Sequence, residues 1–398
     1  MWKKFYELAI VSLSIYFKIT SFFGNEKSIK AINGRKNWKK NLTKVNLNKT
    51  NYWIHSASHG EGLMASPLIK KILENKNNQI IITFFSPSGY ENFQFSSDQI
   101  FKTYLPLDFR SNAKDFISLT KPKHAIFVKY DLWMNFIETC QKNKIPVSVF
   151  SSKFHKNQWY FKFYGKWAND ILKKFSNIFT IDKVSKSFLT SKGFENVMYN
   201  GDTRYDQVST NLIKSSLKIK SPCLILGSSW EREEKILSSV INDFPNIQYI
   251  IAPHEVDKKR LKKLKNIFGS KAKFYSEIDR TKKIPNVLII DKIGLLADLY
   301  SLSDIAFVGG GFTGKLHNII EPAAKGNKII FGPKHNKFPE AQSMIDNEIA
   351  FIIKDKFDLT KILKSIKICN TNRKKSMNFI LKNKGASEIV YRKIVNQI

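Results

Sequence analysis

IAFVGGGFTGKLHNIIEPAAKGNKIIFGPK, residues 305–334, is the stretch on which the fold turns. A short apolar run, IAFV, enters three glycines, Gly309, Gly310 and Gly311. A helical pattern follows with Asn318 and Glu321 one turn apart, then a second apolar run, KIIF. Strand, glycine turn, helix and strand form the unit of a parallel sheet with crossover helices. Such a turn can hold a nucleotide: backbone amides and a positive helix end face phosphate, and a carboxylate near the helix start accepts ribose hydroxyls. For an isolated GGG, a tight turn closed by a capping Glu is the stronger reading, but EPAAKG and KIIFGPK beyond it argue against an isolated motif.

The same alternation runs through the chain. YWIHS, QIIITFF, HAIFVKY, VSVFSS, NIFTIDK and NVMYNGD are strand-like and separated by helical lengths. After a Lys-rich stretch near residues 210–220, CLILGSS, QYIIAPH, KFYSE, NVLIIDK, IAFVGGG and KIIFGPK repeat the arrangement. The fold class is therefore α/β with two Rossmann-like halves, and a final basic segment from about 371 to 398 reads as helix. A length of 398 residues exceeds one ordinary core and fits two domains. Hydrophobic residues make up 42% of the chain and no long biased tract occurs, which excludes a disordered protein. Cys140, Cys223 and Cys369 are far apart and belong to no CxxC or Cys/His cluster, so neither a disulfide framework nor a zinc site is expected.

Sixty-six Lys and Arg against 33 Asp and Glu give a net charge of +33. That excess can attract nucleic acid, an anionic membrane or a phosphorylated substrate. The abundance of Lys, Asn and Ile is also the mark of an A/T-rich coding sequence, so charge alone selects no partner. An aromatic-basic RNA motif and a DNA-reading module are both lacking, which argues against nucleic acid. The first 30 residues, MWKKFYELAIVSLSIYFKITSFFGNEKSIK, combine a basic start with a mainly apolar run from Phe5 to Phe23, interrupted by Glu7 and Lys18. With no small-residue cleavage site, this reads as a membrane-associating helix rather than a signal peptide. It is marginal as a span and suited to the headgroup region, the competing reading being a buried soluble helix.

In doubly wound sheets ligands sit at the carboxyl ends of strands, so the informative residues follow each apolar run. They are SASHGEG at 56–62, SPSGY at 86–90, LPLDFR at 105–110, KYDLW at 129–133, SSKF at 151–154, GDTRYD at 201–206, GSSWEREE at 227–234, APHE at 252–255 and IGLLADLY at 293–300, besides residues 309–326. No Walker GxxxxGK[ST] occurs and no GxGxxG follows the first strand, which disfavours a nucleoside-triphosphate machine or an ordinary dehydrogenase.

Seven of these stretches in order, SASHGEG, LPLDFR, YDLW, GDTRYD, GSSWEREE, IGLLADLY and GGGFTGKLHNIIEPAAKGNKIIFGP, resemble the transferases that move 3-deoxy-D-manno-octulosonic acid (Kdo) from CMP-Kdo to a lipid A precursor. The resemblance covers nearly the whole chain. It implies a GT-B architecture, two Rossmann-like domains facing a cleft, with residues 1–25 as the membrane-associating helix. Residues 26–210 become the acceptor-binding domain, 211–370 the CMP-Kdo-binding domain and 371–398 a helix that packs back on the first domain. Glu61 falls on the family's general base, in a motif reading Ser58, His59, Gly60, Glu61, where His59 replaces an apolar residue. Taken alone, Glu61 reads as a helix cap worth about 0.3 to 1 kcal/mol. CMP contacts fall on Pro253 and His254, on Gly294, Leu295 and Leu296, and on Asn318, Ile319, Ile320 and Glu321, with Ser228 and residues 309–311 beside them. Pro253 stands where the family usually has Arg.

The family's Glu-Thr-Glu before Leu-Trp is here Lys129, Tyr130, Asp131. Lys129, Asp131, Lys153 and Arg204 are the acceptor-side candidates, with Lys129 suited to a lipid A phosphate. The implied reaction is an inverting displacement needing neither metal nor cofactor beyond the donor CMP-Kdo. Its partners are a lipid A precursor and an anionic inner-membrane surface, with the catalytic domains on the cytoplasmic face, and no nucleic acid or obligate protein partner is expected. Another GT-B nucleotide-sugar enzyme, a lipid A disaccharide synthase or an epimerase, is the nearest alternative.

Overall fold

The computed structural model describes residues 1–95, 97–212, 217, 219–279, 282, 284–365 and 370–395. Cys369 and part of the Lys-rich stretch near 210–220 lie outside the described residues. The chain forms two compact units, residues 1–207 with 383–398, and residues 208–382.

The first unit is built on a seven-stranded parallel sheet of β1 (Thr50–Ser56), β2 (Asn78–Phe84), β3 (Ile100–Tyr104), β4 (His124–Val128), β5 (Val147–Ser152), β6 (Asn177–Thr180) and β7 (Val197–Tyr199), in the order β3-β2-β1-β4-β5-β6-β7. Both faces are buried, which is why the strands read as unbroken apolar runs. Trp53, Ile81, Phe127 and Val149 point into one core, while Tyr52, Ile54, Ile80, Ile82 and Ile126 point into the other. Ile54 lies between Ile82 and Ile126 in register. A one-residue slip would exchange the two core sets, so side-chain volume fixes the pairing.

The second unit repeats the plan with β8 (Cys223–Ser229), β9 (Gln248–Pro253), β10 (Ala272–Phe274), β11 (Val287–Ile289), β12 (Ile305–Val308), β13 (Lys328–Phe331) and β14 (Ala350–Ile352), in the order β10-β11-β9-β8-β12-β13-β14. Leu224, Leu226, Tyr249, Ile251, Phe307 and Ile330 fill one face of this sheet. In each sheet the strand order reverses at its first strand: between β1 and β4, and between β8 and β12. Crossover helices leave in opposite directions at such points, opening a crevice at the strand ends.

Two elements escape the sequence reading. β3 and β14 are both sheet edges: β3 is interrupted by Lys102 and only partly buried, while β14 is three residues inside the short apolar run 349–353. The final segment is two helices, Asn370–Lys382 and Ala386–Val395, broken at Gly385, whose φ of 108° suits glycine. The second of these belongs to the first unit. Val390 and Ile394 enter its core, and the amides of Gly385 and Ser387 each donate to the Asp206 carboxylate at 2.6 Å.

The helix Trp2–Phe22 is docked along one face. Tyr6 donates to the Asp108 carboxylate at 2.5 Å, Arg110 to Glu7 at 2.7 Å and Lys3 to Glu138, Ile10 is buried, and Phe17 packs on Phe85. Phe5, Leu8, Ile15, Ile19 and Phe22, at helical spacing on the other face, are all exposed. By length and composition the helix is sufficient to cross a membrane.

Candidate active site

Glu61 sits where β1 hands over to the helix His59–Ile72, at the β1/β4 reversal. Ser58 occupies the N-cap without a side-chain cap bond. Instead the Glu61 carboxylate reaches back past the N-cap to accept the Ala57 amide at 2.6 Å. The chain therefore uses Glu61 as a cap, and the cap bond fixes where its second oxygen lies. Burial, the largest effect, raises the carboxyl above its ordinary pKa; the Ala57 amide and Lys129 oppose it, and Asp131 adds to it. A half-buried carboxylate of raised pKa is a stronger base than a solvated one.

Lys129 and Asp131, which follow β4, bear on Glu61 electrostatically, so three of the predicted residues do come together. Lys129 adopts a left-handed φ of 60°, unusual for a side-chain-bearing residue, with its amide held by the Phe150 carbonyl at 2.9 Å. Lys153 and Arg204 lie farther along the sheet. The Lys153 amide donates to the Tyr130 hydroxyl at 3.0 Å, while the Arg204 guanidinium is held by Asp202 at 2.6 and 2.9 Å. That ion pair leaves Arg204 less charge to offer a ligand.

In the first unit, His55 is a residue the sequence reading did not single out. It lies fully buried on β1, with Nδ1 2.9 Å from the Thr83 hydroxyl and Nε2 3.0 Å from Asp131 Oδ2. The Trp133 indole N–H adds contacts of 3.1 Å to both His55 and Asp131, and Trp53 donates to Thr83 at 2.9 Å. Asp131 is thus fixed by a network spanning β1, β2 and the loop after β4. Asp108 of LPLDFR plays a parallel part: buried, its pKa pushed up to about 7 by desolvation, it accepts the amides of Asn135 and Phe136 at 2.9 and 3.0 Å. It thereby anchors the helix Met134–Lys142 that follows the Asp131 loop. His59 keeps a buried Nδ1 without a hydrogen-bond partner among the described residues.

In the second unit the predicted nucleotide residues also collect at a reversal point, but the glycine reading needs correction. The Gly309 amide donates to the Gly227 carbonyl at 2.9 Å and the Gly310 amide to buried Glu233 at 2.9 Å, so neither is directed at a ligand. The glycines allow close backbone approach instead. A Cβ on Gly309 would stand 2.1 Å from the Ser228 carbonyl oxygen, and one on Gly311 would stand 2.4 Å from the Gly332 amide nitrogen. Ser228, with φ of 51°, takes a left-handed backbone at this contact.

The helix carrying Glu321 begins at Ile320 and is five residues long, and Asn318 Oδ1 accepts the amides of Ile320 and Glu321 at 2.9 and 3.4 Å. Ile319 and Ile320 bury their side chains in the core. What faces outward is the exposed Asn318 amide group and the half-buried Glu321, whose carboxyl burial raises and Asn318 lowers. Pro253 and His254 close β9, and Gly294, Leu295 and Leu296 open the short helix Leu296–Leu299, where Leu296 lies against Gly227. Donor-side residues thus come from the ends of β8, β9, β11 and β12. Trp230 and His317, inside two of the quoted stretches but not singled out there, join them: Trp230 stacks on His254 with ring centroids 4.7 Å apart, and His254 packs on His317 at 4.6 Å.

Comparison with known proteins agrees with this layout. Residues 35–207 match the family described as 3-deoxy-D-manno-octulosonic-acid transferase (kdotransferase). The chain is 26% identical over 335 residues to a bifunctional glycosyltransferase/methyltransferase of Fusobacterium nucleatum, covering 79% of this chain and 52% of that protein. It is also 26% identical over 326 residues to the 3-deoxy-D-manno-octulosonic acid transferase of Aquifex aeolicus, covering 79% of this chain and 86% of that one. With the enzyme of that name from Haemophilus influenzae, it shares 28% over 317 residues, 74% and 73% of the two chains. Among solved structures, a UDP-GlcNAc 2-epimerase from Neisseria meningitidis bound to UDP-GlcNAc superposes with a TM-score of 0.61 at 13% identity, over 87% of this chain and all (100%) of that one. At that identity the likeness speaks of fold, two Rossmann-like units of the GT-B kind. The first-unit match and relatives at 26–28% identity over most of the chain point the same way: the chain is similar to the 3-deoxy-D-manno-octulosonic-acid transferases.

Proposed function

We propose that the chain transfers Kdo from CMP-Kdo to a hydroxyl of a lipid A precursor, with inversion at the anomeric carbon. The observation that carries the catalytic assignment is Glu61, a carboxylate held at the β1/β4 reversal by the Ala57 amide, with its pKa raised by burial. In the reaction, Glu61 takes the proton of the acceptor hydroxyl as its oxygen forms the bond to the anomeric carbon of Kdo, and the bond to CMP breaks. CMP leaves as a stable anion, so departure asks little of a general acid. The second unit then has to bind the nucleotide, through Asn318, Glu321 and the loops at 253–254 and 294–296. Lys129 beside Glu61 supplies positive charge for an acceptor phosphate. The acceptor's lipid chains fit the exposed apolar face of the first helix, which we read as lying in the headgroup layer of an anionic inner membrane at its cytoplasmic face.

The test is the purified chain with CMP-Kdo and tetra-acylated lipid A precursor, read by mass spectrometry. Formation of the Kdo adduct is expected, and UDP-sugars in place of CMP-Kdo should give none; no adduct from CMP-Kdo overturns the reading. Glu61→Gln keeps an oxygen for the Ala57 amide while removing the base. It should lower turnover by about 10²- to 10⁴-fold with the fold intact. If Glu61 were a cap alone, turnover would persist.

A further inference from the structure

We propose that His317 is a further donor-binding residue: Trp230 fixes its imidazole as the Nδ1–H tautomer, and that N–H donates to an acidic oxygen of the nucleotide-sugar. The inference rests on the CMP-Kdo reading above. Its basis is a hydrogen bond whose direction has one solution. The Trp230 indole Nε1 lies 3.3 Å from His317 Nε2, and an indole nitrogen only donates, so Nε2 has to accept. The ring proton is then on Nδ1. An imidazolium would set N–H against N–H and lose the bond, so the contact also selects the neutral ring.

The surroundings agree. His254, the titratable group that bears on His317, packs against it, and burial together with His254 lowers the His317 pKa to about 4. The His317 backbone is pinned as well, its amide donating to the Gly309 carbonyl at 3.1 Å. Trp230 follows β8, His254 follows β9 and His317 follows β12, so the rings come from three strand ends around the second unit's reversal point. His317 is half-buried and directly precedes Asn318 in the chain. A neutral, oriented N–H at that place can recognise an oxygen anion without bringing a second charge into the donor site. The acidic oxygen belongs either to the phosphate or to the Kdo carboxylate.

Because the donor is Nδ1–H, the two amide side chains should separate. The Asn amide nitrogen superimposes on Nδ1 and the Gln amide nitrogen on Nε2. We expect His317→Ala and His317→Gln to raise KM for CMP-Kdo by about tenfold or more, as for the loss of a hydrogen bond to a charged group. Under the same conditions His317→Asn should recover most of that loss, and kcat should change by less than about threefold in all three. Trp230→Phe keeps the stack on His254 but removes the lock on the His317 tautomer, so it should raise donor KM with little change in kcat. Calorimetric titration of the full chain with CMP divides the sources. Weaker CMP binding by His317→Gln assigns the phosphate; unchanged CMP binding with raised CMP-Kdo KM assigns the carboxylate. Equal KM in all variants, or rescue by Gln and not Asn, overturns the proposal while leaving the donor reading in place. Failure of the parent protein to bind CMP overturns both.

Discussion

Glu61 shows how a single side chain can serve fold and chemistry together. Its carboxylate caps the amide of Ala57, an interaction found in many helices that catalyse nothing, and the same bond orients the group at the strand ends. Acid has to protonate this base before activity is lost, so transfer should decline as pH falls through the raised pKa of Glu61. Lys129 opposes that rise. Lys129→Met should therefore move the acid limb of kcat/KM to higher pH, and it should raise KM for a phosphorylated acceptor. A pH profile on the parent and variant proteins reads the first effect and an acceptor titration the second; an unmoved limb would separate Lys129 from the base. Glu61 and Asp131 were legible in the sequence because each follows an apolar run. His55 was not, since it stands inside the run as one polar residue in a strand buried on both faces. Its partners Thr83 and Asp131 are 28 and 76 residues away, and only the β2-β1-β4 pairing brings them within 3.0 Å. Similarly, nothing local to Trp230 announces His317, 87 residues on.

At the scale of elements, the central strands could all be read from composition and the edges only in part: β7 and β10 stand in NVMYNGD and KFYSE, whereas β3, with Lys102 in its middle, and the three-residue β14 were passed over. The glycine loop after β12 was located correctly and its use misread. Three glycines in sequence signal close approach, but whether the visitor is a ligand or another loop depends on what the sheet places opposite. Here it is Ser228 near the end of β8 and Gly332 after β13. Gly309→Ala should thus act on the fold: its Cβ meets a backbone oxygen at 2.1 Å, which no rotamer change relieves. A destabilisation of about 2 kcal/mol or more is expected by denaturant unfolding. A variant as stable as the parent would show that the loop tolerates displacement. The docking of the first helix belongs to the same scale. Tyr6→Phe deletes the donor to buried Asp108, leaving that oxygen with the Asn135 amide alone. The expected cost is about 1.5–3 kcal/mol to that docking, seen as faster amide exchange within Trp2–Phe22. Removing this bond also lets the Asp108 pKa rise further, since Tyr6 holds it down. A carboxyl whose folded pKa exceeds its unfolded value loses stability as pH rises between the two, so the variant's stability should fall over a window extending above pH 7.

For the molecule as a whole, two sheets of seven strands each carry one reversal point, and the candidate base and the nucleotide residues fall at different ones. A chain of this length could have been divided in several ways; its last helix is grouped with the first unit, and the contact that ties it there, the Gly385 amide on Asp206 179 residues earlier, is not legible in the sequence. The net charge of +33 acquires meaning only when set beside the first helix. Lys3, Lys4 and Lys18 accompany an exposed apolar face, and Trp2 extends it onto exposed Phe163, with ring centroids 5.8 Å apart. An element committed on its opposite face to Asp108, Glu138 and Arg110 is better placed to lie in an interface than to cross a bilayer. This membrane reading makes two contributions separable. Electrostatic attraction, about 1 kcal/mol per basic residue near an anionic surface, is screened by salt, whereas apolar insertion is not. Co-sedimentation with phosphatidylglycerol-containing vesicles should exceed that with pure phosphatidylcholine at low salt, and part of the binding should survive at 0.5 M salt, a concentration at which the Debye length is about 4 Å. Leu8→Glu combined with Ile15→Glu should abolish the surviving part while sparing the Tyr6 and Asp108 contact. If the double variant binds as the parent does in high salt, the first helix is not the inserting element.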